Sequence, residues 1–467
     1  MSRYSLYLAL VFVSTTYISA QDWPLDTIHL RNGHSFQGVI LQETNDAVHF
    51  RQVLRRPGKP TYVLDAVFFR DEIGRIERID DTLRQDWIRQ LEKLDPRGLQ
   101  EKRRREALQL ERRPEGAWFY SGEWFALWCY LSSEELTRRV VVRLEDMFAA
   151  LREYLGERFK PQQRLVIYLY KDSGSYQRAL KERGLQLSNP AVYIPERAEI
   201  LVVTTWEQLA EQLTRVRAQQ EAQLRELERY EGKLRQHYHG QPPPEVLEKL
   251  KAVRAQLLRI GQENEAILDR QLQPLFRLCY HETFHAYLDL YLFPQAQHKV
   301  PRWLNEGLAQ IIETAIVETG EIRIGHLDVE RLQRVQRLLR ENSMPTIHEL
   351  LRSETRHFQV NHNSEGYASD RYFLASWATA YYFLFGPHSP STNKTIASPP
   401  GQSLIRFIEQ LTSSEDVSRA LQDHTGKSLA DLERDWQLYF LRLRPDGTLR
   451  PLEEVRPAEP TKAPGKS

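Results

Sequence analysis

From Trp206 to Gln271 large side chains recur every three or four residues on either side of a proline-rich break, and few folds accept that pattern. Stepping from Trp206 lands on Leu209, Leu213, Val216, Gln220, Gln223, Leu227, Tyr230, Leu234 and His237. Beyond His239-Gly-Gln-Pro-Pro-Pro244 it lands on Val246, Leu250, Val253, Leu257, Ile260, Asn264, Ile267 and Gln271. Two heptad series around a turn predict an antiparallel helical hairpin over 206–273. Almost every other position is polar, which favours a projecting arm over a helix packed into the globule. Paired back from the prolines, the series set Leu234 against Leu250, Tyr230 near Val253, Leu227 against Leu257 and Gln223 near Ile260. The same register sets Gln220 beside Asn264, an amide pair that penalises slipped registers.

The rest of the 467 residues divides around this arm. Lys+Arg number 64 and Asp+Glu 63, so no net field points to nucleic acid or to an anionic membrane. Arg3, the apolar run Leu6–Val13 and Ile18-Ser19-Ala20 before Gln21 predict a secretory signal peptide over 1–20, with an uncleaved anchor helix as the other reading. No later stretch has the length of a membrane span, so the mature chain is expected to be exported, periplasmic or secreted. Cys129 and Cys279 stay open to two readings, a disulfide or buried thiols.

Residues 26–79 read as about five short strands between turn signals, and the run DTIHLRNGHSFQGVI resembles the opening of a small SH3-like or Sm-like barrel, placed over 21–80. Its expected role is contact with protein or envelope, or plain structural ballast. Residues 81–113, with Lys102-Arg-Arg-Arg105 among interleaved acids, predict a charged linker helix. Over 114–205 the expected order is an aromatic strand, a helix Glu134–Leu155, a strand Arg164–Tyr170, a helix near Tyr176–Arg183, and a hairpin of 191–194 with 199–203. That order is an α+β layout. Residues 274–443 complete this unit, and 444–467, rich in Pro and charge, are expected to be disordered.

The chemistry concentrates after Pro274, which suits the first turn of a helix over 275–292. That helix is apolar nearly all round and should be buried, so His281, Glu282 and His285 must be engaged there. Spacing i, i+4 turns both imidazoles to one face, where they can converge on one cation. Glu282 lies about a hundred degrees round the helix, placed to reach a water on that cation. The other reading is two core histidines that satisfy backbone groups. Glu306, about twenty residues on and on the next helix, supplies the third donor of a His₂Glu site with one position open to water.

HETFHAYLD resembles the motif helix of thermolysin, and WLNEGLA resembles the glutamate motif of aminopeptidase-N-type gluzincins. Together they resemble the gluzincin, or peptidase MA-like, metallopeptidases, and the layout is similar to exported members of that clan. The resemblance is strong over 274–315, extends over about 118–440 and leaves out the N-terminal barrel. It implies zinc held by His281, His285 and Glu306, with Glu282 as general base in hydrolysis of a peptide or protein substrate. It also implies an oxyanion partner, for which Tyr372 in SDRYFLASWATAYYFL competes with Tyr367, Tyr381 and Tyr382. Two departures matter. No Gly-x-Met-Glu-Asn stretch precedes His281, so endopeptidase rather than exopeptidase action is expected. Gln310 stands where thermolysin carries an acid one turn after its third ligand, which leaves Asp289 as an expected contact for a ligating histidine. The alternative function is an envelope binding or scaffold protein whose barrel and arm dock a protein partner beside a vestigial or structural metal site.

Overall fold

The computed structural model describes residues 23–454 apart from 57, 95–98, 205–206, 239–241, 319–320, 359–365, 388–399 and 415. The expected signal peptide therefore lies outside the described residues. The chain is mixed α+β and falls into two compact units, one of residues up to Leu54 with Tyr62–Leu91, the other of Arg55–Thr61 and Glu92 onward.

The first unit holds five antiparallel strands, β1 (Asp26–Leu30), β2 (Ser35–Glu43), β3 (Ala47–Leu54), β4 (Tyr62–Phe69) and β5 (Ile73–Glu77), in the order β4-β3-β2-β1-β5. Ile28, Ile40, Val48, Phe50, Phe68 and Ile73 form its core. The expected barrel is not closed: among the described residues the end strands β4 and β5 do not pair. The expected boundary at residue 80 also moves, because α1 (Asp81–Lys93) belongs with the strands as far as Leu91. The reason is a fully buried carboxylate. Asp26 accepts from the Ile40 and Ile79 amides and, at 2.7 Å, from Arg84 Nε on α1. Burial opposes its charge, but these donors hold its pKa below the usual value. Trp87 stacks on Trp23 beside it, with ring centroids 4.4 Å apart.

The second unit opens with α2 (Leu99–Ala107), so the expected single linker helix is two helices serving different units. Its basic run is paired, Arg104 with Asp146 and Arg105 with Glu135. A six-stranded mixed sheet follows, built of β6 (Glu111–Arg112), β7 (Trp118–Ser121), β8 (Phe125–Cys129), β9 (Leu165–Tyr170), β10 (Ala191–Ile194) and β11 (Glu199–Val203), in the order β10-β11-β9-β8-β7-β6. The expected single aromatic strand is the hairpin β7–β8. Helix α3 (Glu134–Leu155), capped by Ser133, connects the parallel strands β8 and β9, and α4 (Ser173–Glu182), capped by Asp172, follows β9.

The arm consists of α5 (Glu207–His237) and α6 (Pro244–Tyr287). Here the structure departs from the expectation that a new helix begins at Pro274. The arm's second helix runs without interruption for 44 residues into the HETFH segment, with Pro274 inside it. Proline removes the donor that would bond the Arg270 carbonyl, but both residues sit on the exposed face, where water can satisfy that carbonyl. Where the helix passes from arm to core, the buried Arg139 of α3 holds it, bonded to Asp269 at 2.6 Å and to Glu265.

Across the arm the contacts fall within a turn of the expected register, as in the bond from Arg254 to Glu231. Among the described residues no hydrogen bond joins Gln220 to Asn264; the Gln220 amide donates to the Leu257 carbonyl at 3.1 Å and lies over Gly261, three residues before Asn264. Gly261 has no Cβ, so the Gln220 side chain fills that space. Leu227, Leu234, Leu250 and Leu257 are half-buried, whereas Val216, Tyr230, Val253, Ile260 and Ile267 are exposed. The apolar face is wider than one seam between two helices can cover.

Helix α6 ends in a π-turn, Leu288–Leu292, before α7 (Arg302–Ile312). The strands β12 (Ile316–Glu318) and β13 (Glu321–Arg323) follow, then α8 (Val329–Arg340), α9 (Ile347–Leu351), α10 (Gly366–Phe385), α11 (Pro400–Ser413), α12 (Val417–Thr425) and α13 (Leu429–Arg442). Residues 444–454, expected to be disordered, form a turn in which Arg444 bonds Thr448 and the Arg450 amide bonds Arg442; 455–467 lie outside the described residues. Cys129 and Cys279 are buried free thiols, and burial pushes Cys279 up to about 12. Among the described residues no helix is long and apolar enough to cross a membrane.

Candidate metal centre

Helices α6 and α7 pack together inside the largest core cluster, and α10 closes over α7. The close approach depends on Gly307, the glycine of WLNEGLA. A Cβ there would stand 2.3 Å from the Ser376 carbonyl oxygen of α10 and 2.8 Å from the Ala380 Cβ. That motif glycine therefore serves the packing that fixes the neighbouring Glu306.

His281 and His285 project from one face of α6, as the i, i+4 spacing predicts, toward Glu306 on α7. Glu306 Oε2 lies 3.3 Å from His281 Nε2 and 3.7 Å from His285 Nε2. One ligand atom from each of the three residues falls within 4.8 Å of the others, so this group can hold one metal ion.

The outer nitrogens of both rings are engaged. His285 Nδ1 lies 2.8 Å from Asn305 Oδ1, and His281 Nδ1 lies 2.8 Å from Glu313 Oε2. Glu313 is held in turn by Arg331 of α8 at 2.5 Å, and Arg331 also donates to the Gln310 carbonyl. Engaged Nδ1 atoms fix the tautomer and leave each Nε2 turned to Glu306, the arrangement a metal requires of its histidines. Burial works against charge on His281, but Glu306 and Glu313 outweigh it and raise its pKa to about 10. Burial likewise opposes ionisation of Glu306, yet His285, Arg302 and His281 hold its carboxyl well below the usual range. Glu306, Glu313 and the Glu282 charge thus favour positive charge at this point, and a cation binding there displaces the His281 proton.

Glu282 is buried, and no hydrogen bond to it is found among the described residues. Helix α6, which carries it, packs against β10 and β11. Burial and the nearby Glu282 charge together raise the Tyr176 phenol above its usual range.

The Tyr372 ring packs against His357 and Phe358, and the charges that act on its phenol are those of Glu349, Arg356 and Arg371. Tyr381 donates to the Gly325 carbonyl, Tyr382 is buried against Tyr439, and the Tyr367 side chain lies outside the described residues. Asp289 is also committed elsewhere, accepting from the Tyr193 hydroxyl and the Gln295 amide, each at 2.7 Å. Gln310 turns away to the Phe373 carbonyl at 2.8 Å.

No family model matches the chain, and no curated protein matches it. The site therefore has to be read from its own chemistry.

Sequence reasoning missed four residues of this site. Asn305 and Arg302, which pairs with Glu306 Oε1 at 2.7 Å, sit inside or beside the WLNEGLA run. Glu313 follows Glu306 by seven residues, two turns along the same face, and that spacing is legible in the sequence. Nothing in the sequence pointed to Arg331, which arrives from α8.

Proposed function

We propose that this chain is an exported zinc-dependent endopeptidase of the gluzincin type, with Glu282 as general base. The observation that carries the reading is the convergence of His281, His285 and Glu306, each imidazole oriented through its far nitrogen, with an unpartnered carboxylate on the same helix. A two-histidine, one-glutamate donor set with a place left open suits zinc in a catalytic setting. Bound zinc supplies Lewis acidity and lowers the pKa of a coordinated water. Glu282 takes a proton from the attacking water and delivers it to the leaving amine. Strand β10 supports a peptide substrate: it ends the sheet, packs on α6, and among the described residues pairs only with β11. An extended peptide can add to such an edge by main-chain hydrogen bonds. The gluzincin fold, an accessory contact role for the first unit and export through residues 1–20 belong to the same proposal.

Metal analysis of the purified protein, paired with cleavage of a broad peptide library, tests it. About one zinc per chain is expected, lost in His281→Ala and in Glu306→Ala. Full occupancy in both variants would sink the assignment. A second reading, a binding or scaffold protein, draws on the exposed row Val216, Tyr230, Val253, Ile260 and Ile267 of the arm. A metal-loaded protein that cleaves nothing while the arm captures a partner would favour it.

A further inference from the structure

Beside the metal group lies a cavity of about 280 Å³, roughly the space of one large side chain. It shares His285 and Asn305 with the site and continues along Asp289, Phe293, His298, Lys299 and Arg302. The charges on its wall are not equivalent. Both Asp289 oxygens accept protein donors, the Tyr193 hydroxyl and the Gln295 amide. The Arg302 guanidinium is committed to Glu306. The Lys299 ammonium has no carboxylate partner among the described residues, and it stands on the exposed segment that leads into α7. The His298 ring, packed against Phe293, also lines this space. The Asp289 donors are neutral, so that carboxylate keeps its charge but has both oxygens engaged, and the Arg302 charge is balanced by Glu306; the groups left for a ligand are the Lys299 ammonium and one imidazole. A cationic group placed there would meet the ammonium as a like charge, and an apolar one would gain nothing from it.

We propose that the cavity receives a carboxylate of the peptide bound at the metal group, paired with Lys299, so that the protein selects peptides carrying an acid near the bond it addresses. This rests on the endopeptidase reading for the identity of the ligand as a peptide. A carboxylate can come from an Asp or Glu side chain or from the end of the chain, and the test separates the two.

The probes are fluorescein-labelled octapeptides that differ at one central position, Glu, Gln or Lys, each made with a free or an amidated C-terminus. Binding is measured by anisotropy to the full-length, zinc-supplemented Glu282→Gln protein, and cleavage of the same peptides is measured with the unaltered protein. The Glu peptide should bind about tenfold more tightly than the Gln peptide, the worth of one charge-assisted hydrogen bond. Lys299→Glu should reverse the order in favour of the Lys peptide. Lys299 is exposed, so that substitution leaves the fold and the metal donors in place, which metal content verifies. A preference that follows the free C-terminus instead of the central Glu assigns the cavity to a chain end. Equal binding of all peptides, absence of binding, or an unchanged order in Lys299→Glu overturns the proposal. Cleavage with no acidic preference overturns it while the endopeptidase reading stands. An acidic preference in binding without any cleavage leaves the cavity assigned and removes the endopeptidase reading.

Discussion

Along α6 two stretches of one helix meet opposite surroundings. Between Pro244 and Ile267 it leaves Val253, Ile260 and Ile267 exposed, at 40–44% of their full surface, whereas from Leu268 onward Leu268, Leu272, Leu275 and Phe284 are buried and carry Glu282 and His285 in with them. The arm spends apolar side chains where water reaches them, and the core takes in charged groups where water does not. Each is tolerable for a local reason. In the arm the two helices meet on a seam narrower than the apolar face. In the core each ligating imidazole has a partner at its outer nitrogen, and the Glu306 carboxylate is balanced by Arg302 and the two histidines. Burial in this helix follows the partners available and not the hydropathy of the residue.

The largest effect expected from breaking that contrast lies at the buried end. Glu282→Gln keeps the size of the side chain and removes its basicity. Turnover of any cleaved peptide should fall by about 10²–10⁴-fold. Zinc content should remain, since Glu282 is not among the three converging donors. Wild-type turnover in this variant would show that Glu282 is not the base.

Next in size is a comparison of truncations on the two stretches. Leu272→Ala, at a fully buried position, should cost about 2–5 kcal/mol. Ile260→Ala, one of the exposed row, should cost about 1 kcal/mol or less. Denaturant unfolding of the two variants gives the ranking. A cost at Ile260 equal to that at Leu272 would mean that the exposed row is covered in solution.

The two regions also differ in how far the sequence revealed them. The periodicity of 206–271 was enough to place two helices and their turn, and the HETFH and WLNEG runs were enough to place all three donors. Register was legible to within a turn but the amide pair was not, because a glycine at 261 opens the Leu257 carbonyl to Gln220. Pro274 misled for a related reason. Its helix-breaking tendency is real, but the cost depends on whether the freed carbonyl faces solvent, a tertiary fact. Tyr372 was an inference from a role rather than from a pattern, and its ring packs against His357 and Phe358. The contacts that orient the histidines were partly legible, since Glu313 shares a face with Glu306, but Arg331 comes from a separate helix.

Glu313→Ala sharpens the comparison from the polar side. It removes the acceptor at His281 Nδ1 and one of the three carboxylates that raise the His281 pKa to about 10. Zinc affinity at pH 8 should weaken about 10–100-fold through loss of orientation. Its pH dependence should become shallower, because less His281 proton remains to be displaced. Isothermal titration at several pH values measures both, and unchanged affinity would reduce Glu313 to a partner of Arg331.

The smallest effect concerns Gly261 and decides the register of the arm. Replacing a glycine by alanine inside a helix gains about 1 kcal/mol of propensity. Here a Cβ would fall 2.1 Å from Gln220 Nε2, so the amide must swing aside and give up its bond to the Leu257 carbonyl. That loss is worth about 0.5–1.5 kcal/mol, toward the lower end because the displaced amide reaches water. The two terms nearly cancel, and Gly261→Ala alone should change arm stability by about 0.5 kcal/mol or less. In a Gln220→Ala background the obstacle is gone, and the same substitution should recover the gain of about 1 kcal/mol. Amide hydrogen exchange along 244–267 reads these local stabilities without unfolding the rest of the chain. A non-zero coupling between positions 220 and 261 supports the packing of Gln220 over Gly261. Were Gln220 paired with Asn264 instead, alanine at 261 would stabilise the arm equally in both backgrounds, and the coupling would vanish.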